Sequence, residues 1–301
     1  MAIALAELVE PEATADLEGR GAVMGRNSRT QNSSTRHHKR RVKSARRAPG
    51  ADRPRGSITK FYGVQACRAL FQHRRNEILR VFVQVELQES LKDILDWSER
   101  RGLPHKVVEY DELSRIAATE HHEGVCCEAK SLKALSVSAF TARLNDAPTG
   151  CVLVLEGVEN PHNLGAILRT SCFFGVQGVV LVSQQVSALS GASCRVAEGA
   201  AELVPVVIVG HLDEVVTALK KCDYTLVATT PHRARSIYCV KWPQKVAVLF
   251  GAEGPGLSEA AMEAASERVI VPRLGAIESL NVGAAVASVL TEIRRPLQAK
   301  G

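Results

Sequence analysis

Aromatic residues are scarce in this 301-residue chain, at 4% against an apolar fraction of 46%. A core made mainly of Val, Leu, Ile and Ala suits layered α/β packing better than an aromatic-rich sandwich. No window holds the roughly 18 unbroken apolar residues of a membrane-crossing helix. None of the eight cysteines, Cys67, Cys126, Cys127, Cys151, Cys172, Cys194, Cys222 and Cys239, belongs to a CxxC pair. Several lie inside apolar runs, so the pattern excludes a zinc ribbon or disulfide framework and points to buried thiols in a reducing cytoplasm. GxGxxG is missing, as is GxxxxGK followed by Ser or Thr, so neither a dinucleotide fingerprint nor a P-loop is supported. No GxSxG elbow accompanies His162, and no pair of carboxylates is spaced for glycoside hydrolysis. The N-terminus lacks the profile of a secretory signal or transit peptide, because acids interrupt it from Glu7 onward.

Charge is present but unevenly placed. Residues 1–56 carry 12 Lys and Arg against 6 acids, and the remaining 245 residues carry 26 of each. The whole formal excess of +6 therefore lies in this segment. Its first aromatic neighbour is Phe61, and its Arg, Lys, Ser, Gly and Pro cannot bury enough surface to offset the entropy of ordering. Residues 1–56 are expected to form a disordered basic tail. The run from Arg36 to Arg47 could track a phosphate backbone or simply aid solubility.

Residues 57–130 alternate between periodicities. Helical spacing runs from Tyr62 to His73 and from Leu87 to Arg101, and Asp111 opens a third helix through Ile116. Strands are expected at 78–85, 106–109 and 124–129, giving a small α/β unit. His121-His122-Glu123 precedes the last of these. The stretch reads as a surface-shaping loop, because Cys126 and Cys127 point to opposite faces of a strand and complete no metal ligand set. Residues 131–149, ending in Pro148-Thr-Gly150, read as an exposed linker. From 150 to 301 continuous apolar runs (152–155, 178–182, 204–209, 226–228, 246–250) alternate with helices. That is the signature of a mainly parallel sheet covered on both faces, whose ligands bind at the carboxyl ends of the strands.

Three strand ends carry unusual polar or glycine-rich stretches. The first, Glu156-Gly-Val-Glu-Asn-Pro-His-Asn163-Leu-Gly, runs into a helix bearing Arg169. Asn163 is placed to cap that helix, while the fork of Arg169 on a largely apolar helix suits a phosphate. The second, Phe250-Gly251-Ala-Glu253-Gly254-Pro-Gly256, permits tight turns and close backbone approach. Glu253 could anchor its turn or hydrogen-bond a ligand. The third, VPRLGAIESLNVGAAVASVL from Val271 to Leu290, ends a strand at Pro272. It then opens a small-residue helix, with Ser279 as its expected N-cap and Asn281 beside it.

Taken together, NPHNLGAILRTSCFFGV, VLFGAEGPGLS and VPRLGAIESLNVGAAV resemble, in order and spacing, the three motifs of the SpoU (TrmH-like) RNA ribose methyltransferases. The likeness covers about residues 151–297. Residues 61–66 and 122–125 resemble the L30e-like substrate-binding domain found ahead of many such catalytic domains. This resemblance implies a SPOUT-type sheet tied in a trefoil knot, otherwise nearly absent from proteins, and S-adenosylmethionine held mostly by main chain. The implied cofactor contacts are Gly251, Val271 and Leu280, with the strand end at Thr229-Thr230 beside them. It further implies methyl transfer to a ribose 2′-hydroxyl of tRNA or rRNA. Arg169 would bind the target phosphate, and Asn163, Glu253, Ser279 and Asn281 would position the acceptor. A homodimer completing its sites near the subunit interface is also implied. Two departures stand out: Gly283 where a second serine is usual, and Glu159-Asn160 where Asp-Pro is common. Methylation of a base nitrogen, or an RNA-binding assembly factor without turnover, remain the alternatives.

Overall fold

The computed structural model describes residues 57–145, 147–183 and 189–298, with no side-chain description at 296–298. The basic segment 1–56, with the disorder and RNA contact expected of it, lies outside them. The chain order is β1 (Ile58–Tyr62), α1 (Val64–Arg74), β2 (Ile78–Gln84), α2 (Lys92–Arg100), β3 (His105–Val108), α3 (Tyr110–Ala117) and β4 (Val125–Lys130). There follow α4 (Val137–Asn145), β5 (Gly150–Glu156), α5 (Pro161–Phe173), β6 (Gly178–Val182), α6 (Gly191–Val196), α7 (Ala200–Leu203) and β7 (Val206–Val209). Last come α8 (Asp213–Lys221), β8 (Thr225–Thr229), β9 (Arg235–Ser236), β10 (Lys245–Gly251), α9 (Glu259–Ala264), β11 (Glu267–Ile270) and α10 (Val282–Gln298).

The first four strands form a mixed sheet in the order β1-β4-β2-β3, with only β2 and β3 parallel. The other seven form a parallel sheet, β7-β6-β5-β10-β8-β11-β9. Period-two alternation sends successive residues of β5 to opposite faces. Cys151, Leu153 and Leu155 join the core under α5 and α10, while Val152 and Val154 join the core under α4 and α8. The apolar runs are continuous because both faces are covered.

The segment 131–149 departs from the expected exposed linker. It contains α4, whose Phe140 and Leu144 are fully buried against the second face of the sheet. Pro, Gly and Asp cluster only at the end of the segment and hide this short amphipathic helix. Helix boundaries also shift. Glu109, not Asp111, occupies the N-cap position of α3, and α2 starts at Lys92 after a 3₁₀ turn at Val85–Leu87. The strand β1, the short helices α6, α7 and α9, and β9 were not foreseen from periodicity.

The two sheets share one apolar core. Phe61, Leu70, Ile78 and Val81 belong to the same buried cluster as Leu153, Leu164 and Ala200. Arg74 of α1 makes a bidentate pair with Glu202 of α7 at 2.5 and 2.9 Å. Among the described residues no helix is long and apolar enough to cross a membrane.

Candidate active site at the carboxyl ends of the parallel strands

Strands β5, β6 and β7 step outward in sequence order, whereas β10 inserts later between β5 and β8. That insertion is a topological switch point, where open α/β sheets bind ligands. The loops after β5, β10, β8 and β11 all leave from this edge because the strands are parallel.

The loop after β10 is held tightly. A Cβ on Gly251 would collide with the backbone of Gly256 and Leu257, so the turn closes only on glycine. Gly256 N–H donates to Ala252 O at 3.0 Å, and Gly254 and Gly256 take φ of 95° and 72°. Glu156, the last residue of β5, accepts from both Ser258 N–H and Ser258 Oγ at 2.8 Å. Ser258 in turn caps α9 by accepting from Ala261 N–H. Glu253 projects from the turn fixed in this way.

Glu253 Oε1 accepts from Asn163 Nδ2 at 3.0 Å, Asn281 Nδ2 at 2.9 Å and Val282 N–H at 3.4 Å. Asn281 Nδ2 also donates to Asn163 Oδ1 at 2.9 Å. The orientation of the Asn281 amide follows from its other end, where Oδ1 accepts from Gly283 and Ala284 N–H. Asn281 is therefore the cap of α10, and the helix begins at Val282 rather than at Ser279. Similarly, Asn160 caps α5 by accepting from His162 N–H at 2.9 Å, which moves Asn163 into the first turn and frees its side chain for Glu253. In both places sequence alone points to a different polar residue, Asn163 or Ser279, as the cap. The true cap was the one whose side chain reaches the free N–H groups of the first turn.

Three of the five expected polar residues thus meet in one cluster, while the other two stand apart. Arg169 Nη1 donates to Glu198 Oε1 at 2.7 Å, both side chains being largely exposed. On α5 the exposed positions His162, Arg169 and Phe173 fall on one stripe, as a helical repeat of 3.6 requires. Ser279 is exposed and has no hydrogen-bond partner among the described residues. Glu198 and Glu156 were not singled out from sequence. A carboxylate is recognised as an anchor only when its partner is seen.

The positions expected to hold a cofactor border the same edge. Thr229 Oγ1 donates to Leu249 O at 2.9 Å, which ties the ends of β8 and β10. Val271 is half-buried just beyond β11, and Leu280 is 51% exposed. Between them, no backbone N–H or C=O from 272 to 280 has a hydrogen-bond partner among the described residues. Leu274 and Ile277 on this loop are also exposed. Open main-chain donors and acceptors beside apolar side chains leave this loop free to hydrogen-bond a ligand through its backbone.

The His121-His122-Glu123 stretch shapes the contact between the two sheet units. His122 is buried. Its Nδ1 accepts from Gly124 N–H and its Nε2 meets Ser114 Oγ, both at 3.0 Å. Burial lowers its pKa. Glu123 accepts from Val64 N–H and pairs with Arg195 of α6 at 3.1 Å. Among the described residues no group of three His, Cys, Asp or Glu is placed to hold a metal ion.

The chain is similar to known proteins along most of its length. Residues 150–291 match the SpoU rRNA Methylase family, and residues 61–135 match the family of RNA 2′-O ribose methyltransferase substrate-binding domains. An uncharacterized tRNA/rRNA methyltransferase, YfiF of Escherichia coli O157:H7, is 34% identical over 241 residues, covering 80% of this chain and 69% of that one. The 23S rRNA (guanosine-2′-O-)-methyltransferase RlmB of Bordetella pertussis strain Tohama I is 32% identical over 237 residues, covering 78% and 96%. The crystal structure of the SpoU methyltransferase AviRb from Streptomyces viridochromogenes with AdoMet superimposes with a TM-score of 0.69. It covers 80% of this chain and 91% of that one at 19% identity, a likeness of fold. With matched regions on both sheets and relatives aligned along most of its length, the chain belongs to the SpoU RNA methylase family.

Proposed function

We propose that the protein methylates the 2′-hydroxyl of a ribose in tRNA or rRNA, using S-adenosylmethionine. The observation that carries this reading is the Asn163–Glu253–Asn281 cluster. It joins the three loops of the switch point and leaves Glu253 Oε2 without a partner among the described residues. A sulfonium methyl is a strong electrophile, whereas a ribose hydroxyl is a weak nucleophile, so the protein's task is to orient and activate the hydroxyl. Asn163 and Asn281 are consumed in holding Glu253, whose free oxygen can accept from the hydroxyl. Arg169 would bind the neighbouring phosphate and stabilise the oxygen as its proton leaves. Ser279, unpaired and exposed, would orient the ribose. Thr229, the main chain at Gly251 and Val271, and the open backbone through Leu280 would hold the cofactor. A 2′-hydroxyl target also distinguishes RNA from DNA.

Four further features belong to this reading. The late insertion of β10 between β5 and β8 supports a trefoil knot in the 150–301 domain. The mixed sheet of residues 57–130 is assigned as an L30e-like RNA-binding domain, joined through 131–149. A homodimer is supported by two things. Arg169 does not join the polar cluster of its own chain, and Leu274 and Ile277 are exposed on the loop after β11. A partner would bring Arg169 and the cluster together. The protein is assigned to the cytoplasm, where such RNA resides.

Incubation with methyl-labelled S-adenosylmethionine and total RNA tests the reaction. Label in alkali-resistant dinucleotides is expected. Label in a base, or RNA binding without transfer, would replace the proposal with a base methylase or a non-catalytic factor. Arg169→Ala is expected to abolish transfer while cofactor binding persists, as measured by calorimetry.

A further inference from the structure

We infer that Glu198 is a positioning residue for Arg169, and that through it the four-stranded unit sets the geometry of the RNA-phosphate contact. The inference rests on the reading of Arg169 as the phosphate-binding group. Glu198 takes only Nη1 of the guanidinium, at 2.7 Å, and no other protein group among those described engages it. The Nε–Nη2 edge stays open, which is the pair of donors a phosphate accepts in bidentate fashion. An exposed arginine on a helix otherwise samples many rotamers, and one charge-assisted bond selects among them. The pair is too exposed to matter much for stability, so its effect lies in aiming the fork.

The backbone under Glu198 points the same way. Glu198 has φ of 47°, in the left-handed region that a non-glycine residue rarely occupies, and such conformations persist where the surroundings enforce them. Gly199 follows with φ of 92°. The turn is closed by Glu198 N–H to Arg195 O at 3.0 Å and Glu202 N–H to Gly199 O at 3.0 Å. It is also clamped from outside. A Cβ on Gly199 would stand 2.8 Å from Ala69 Cβ of α1, Arg195 pairs with Glu123, and Glu202 pairs with Arg74. Every flank of the turn that carries Glu198 therefore bears on the unit assigned to RNA binding. A shift of that unit reaches Arg169 through one carboxylate.

The test uses the full chain, labelled S-adenosylmethionine, and total RNA from cells lacking the protein. Glu198→Ala is expected to lower the maximal transfer rate about tenfold to a hundredfold, as misaimed groups do. The half-saturating RNA concentration, cofactor affinity and melting temperature should barely move. Glu198→Gln keeps an acceptor oxygen and is expected to recover most of the rate. Glu198→Gly relaxes the backbone and should behave like the alanine variant, which separates aiming from folding. A wild-type rate in Glu198→Ala, tighter RNA binding in it, or no recovery in Glu198→Gln would overturn the proposal. Full activity in Arg169→Ala would instead remove the reading of the site on which it rests.

Discussion

The two oxygens of Glu253 have different surroundings, and on the proposed reading their roles separate by substitution. Oε1 ties Asn163, Asn281 and the start of α10 together, while Oε2 is open. Glu253→Gln keeps one acceptor oxygen but loses the charge and puts an amide where Oε2 stood. Transfer is expected to fall about a hundredfold, while the unfolding free energy from urea titrations stays within about 0.5 kcal/mol of wild type. Glu253→Ala should lose both, and equal losses of stability in the two variants would contradict the division. His122 gives a pH dependence of defined sign. Burial holds its folded pKa below the ordinary 6.5, so the unfolded chain binds more protons below that value. Stability should be full above about pH 6.5 and fall as pH drops toward the lowered folded value. His122→Gln should flatten that slope in denaturation curves taken across this range. That Asn163, Glu253 and Asn281 lie at strand ends was legible in the sequence, because polar residues there follow unbroken apolar runs. Their pairings were not. Nothing in the local sequence says that Arg169 faces Glu198, 29 residues away, or that Glu156 holds Ser258 across 102 residues.

At the scale of elements, long periodic segments were readable and short ones were not. The strands β5, β6 and β10 announce themselves by unbroken apolar runs. The strand β1 (Ile58–Tyr62) has only Phe61 fully buried and shows no such run. The four residues of α7 and the six of α6 are too short for periodicity to register. Helix α4 was hidden by its polar ends, yet it closes one face of the parallel sheet. Phe140 is fully buried there, and Phe140→Ala should destabilise the protein by about 3–5 kcal/mol through lost contacts and a residual cavity. An exposed linker would show almost no change in the same urea titration. Gly283, where the motif resemblance implies a serine, has close neighbours at this scale. A Cβ there would lie 3.1 Å from Asn281 Oδ1 and 3.7 Å from Ala166 Cβ. Glycine lets α10 start directly against α5 without pressing on its own cap.

Across the whole molecule, the continuous core under both sheets predicts cooperative behaviour. Thiol chemistry reports on it. Cys126, Cys151 and Cys194 are buried, with thiol pKa values pushed up to about 12 chiefly by desolvation. Cys239 is exposed. A disulfide reagent at pH 8 should modify Cys239 first and the buried thiols only as the chain unfolds, all in one phase. An early separate phase confined to Cys67, Cys126 and Cys127 would mean that the four-stranded unit opens alone. That the chain forms two sheets could be read from the change in pattern near residue 150. That they share one core could not, since burial between distant segments leaves no local periodicity.

The loop from 272 to 280 offers its main chain to the outside and keeps none of it for itself. Recognition built from peptide groups is indifferent to side-chain identity. On the proposed reading, alanine scanning along this loop would report on Ser279 and pass over the main-chain contacts. The informative chemistry is at the amide itself. Replacing single peptide bonds by esters through semisynthesis would remove one N–H at a time and weaken one acceptor. It would therefore test whether a ligand's outline lies along main chain that side-chain replacement does not probe.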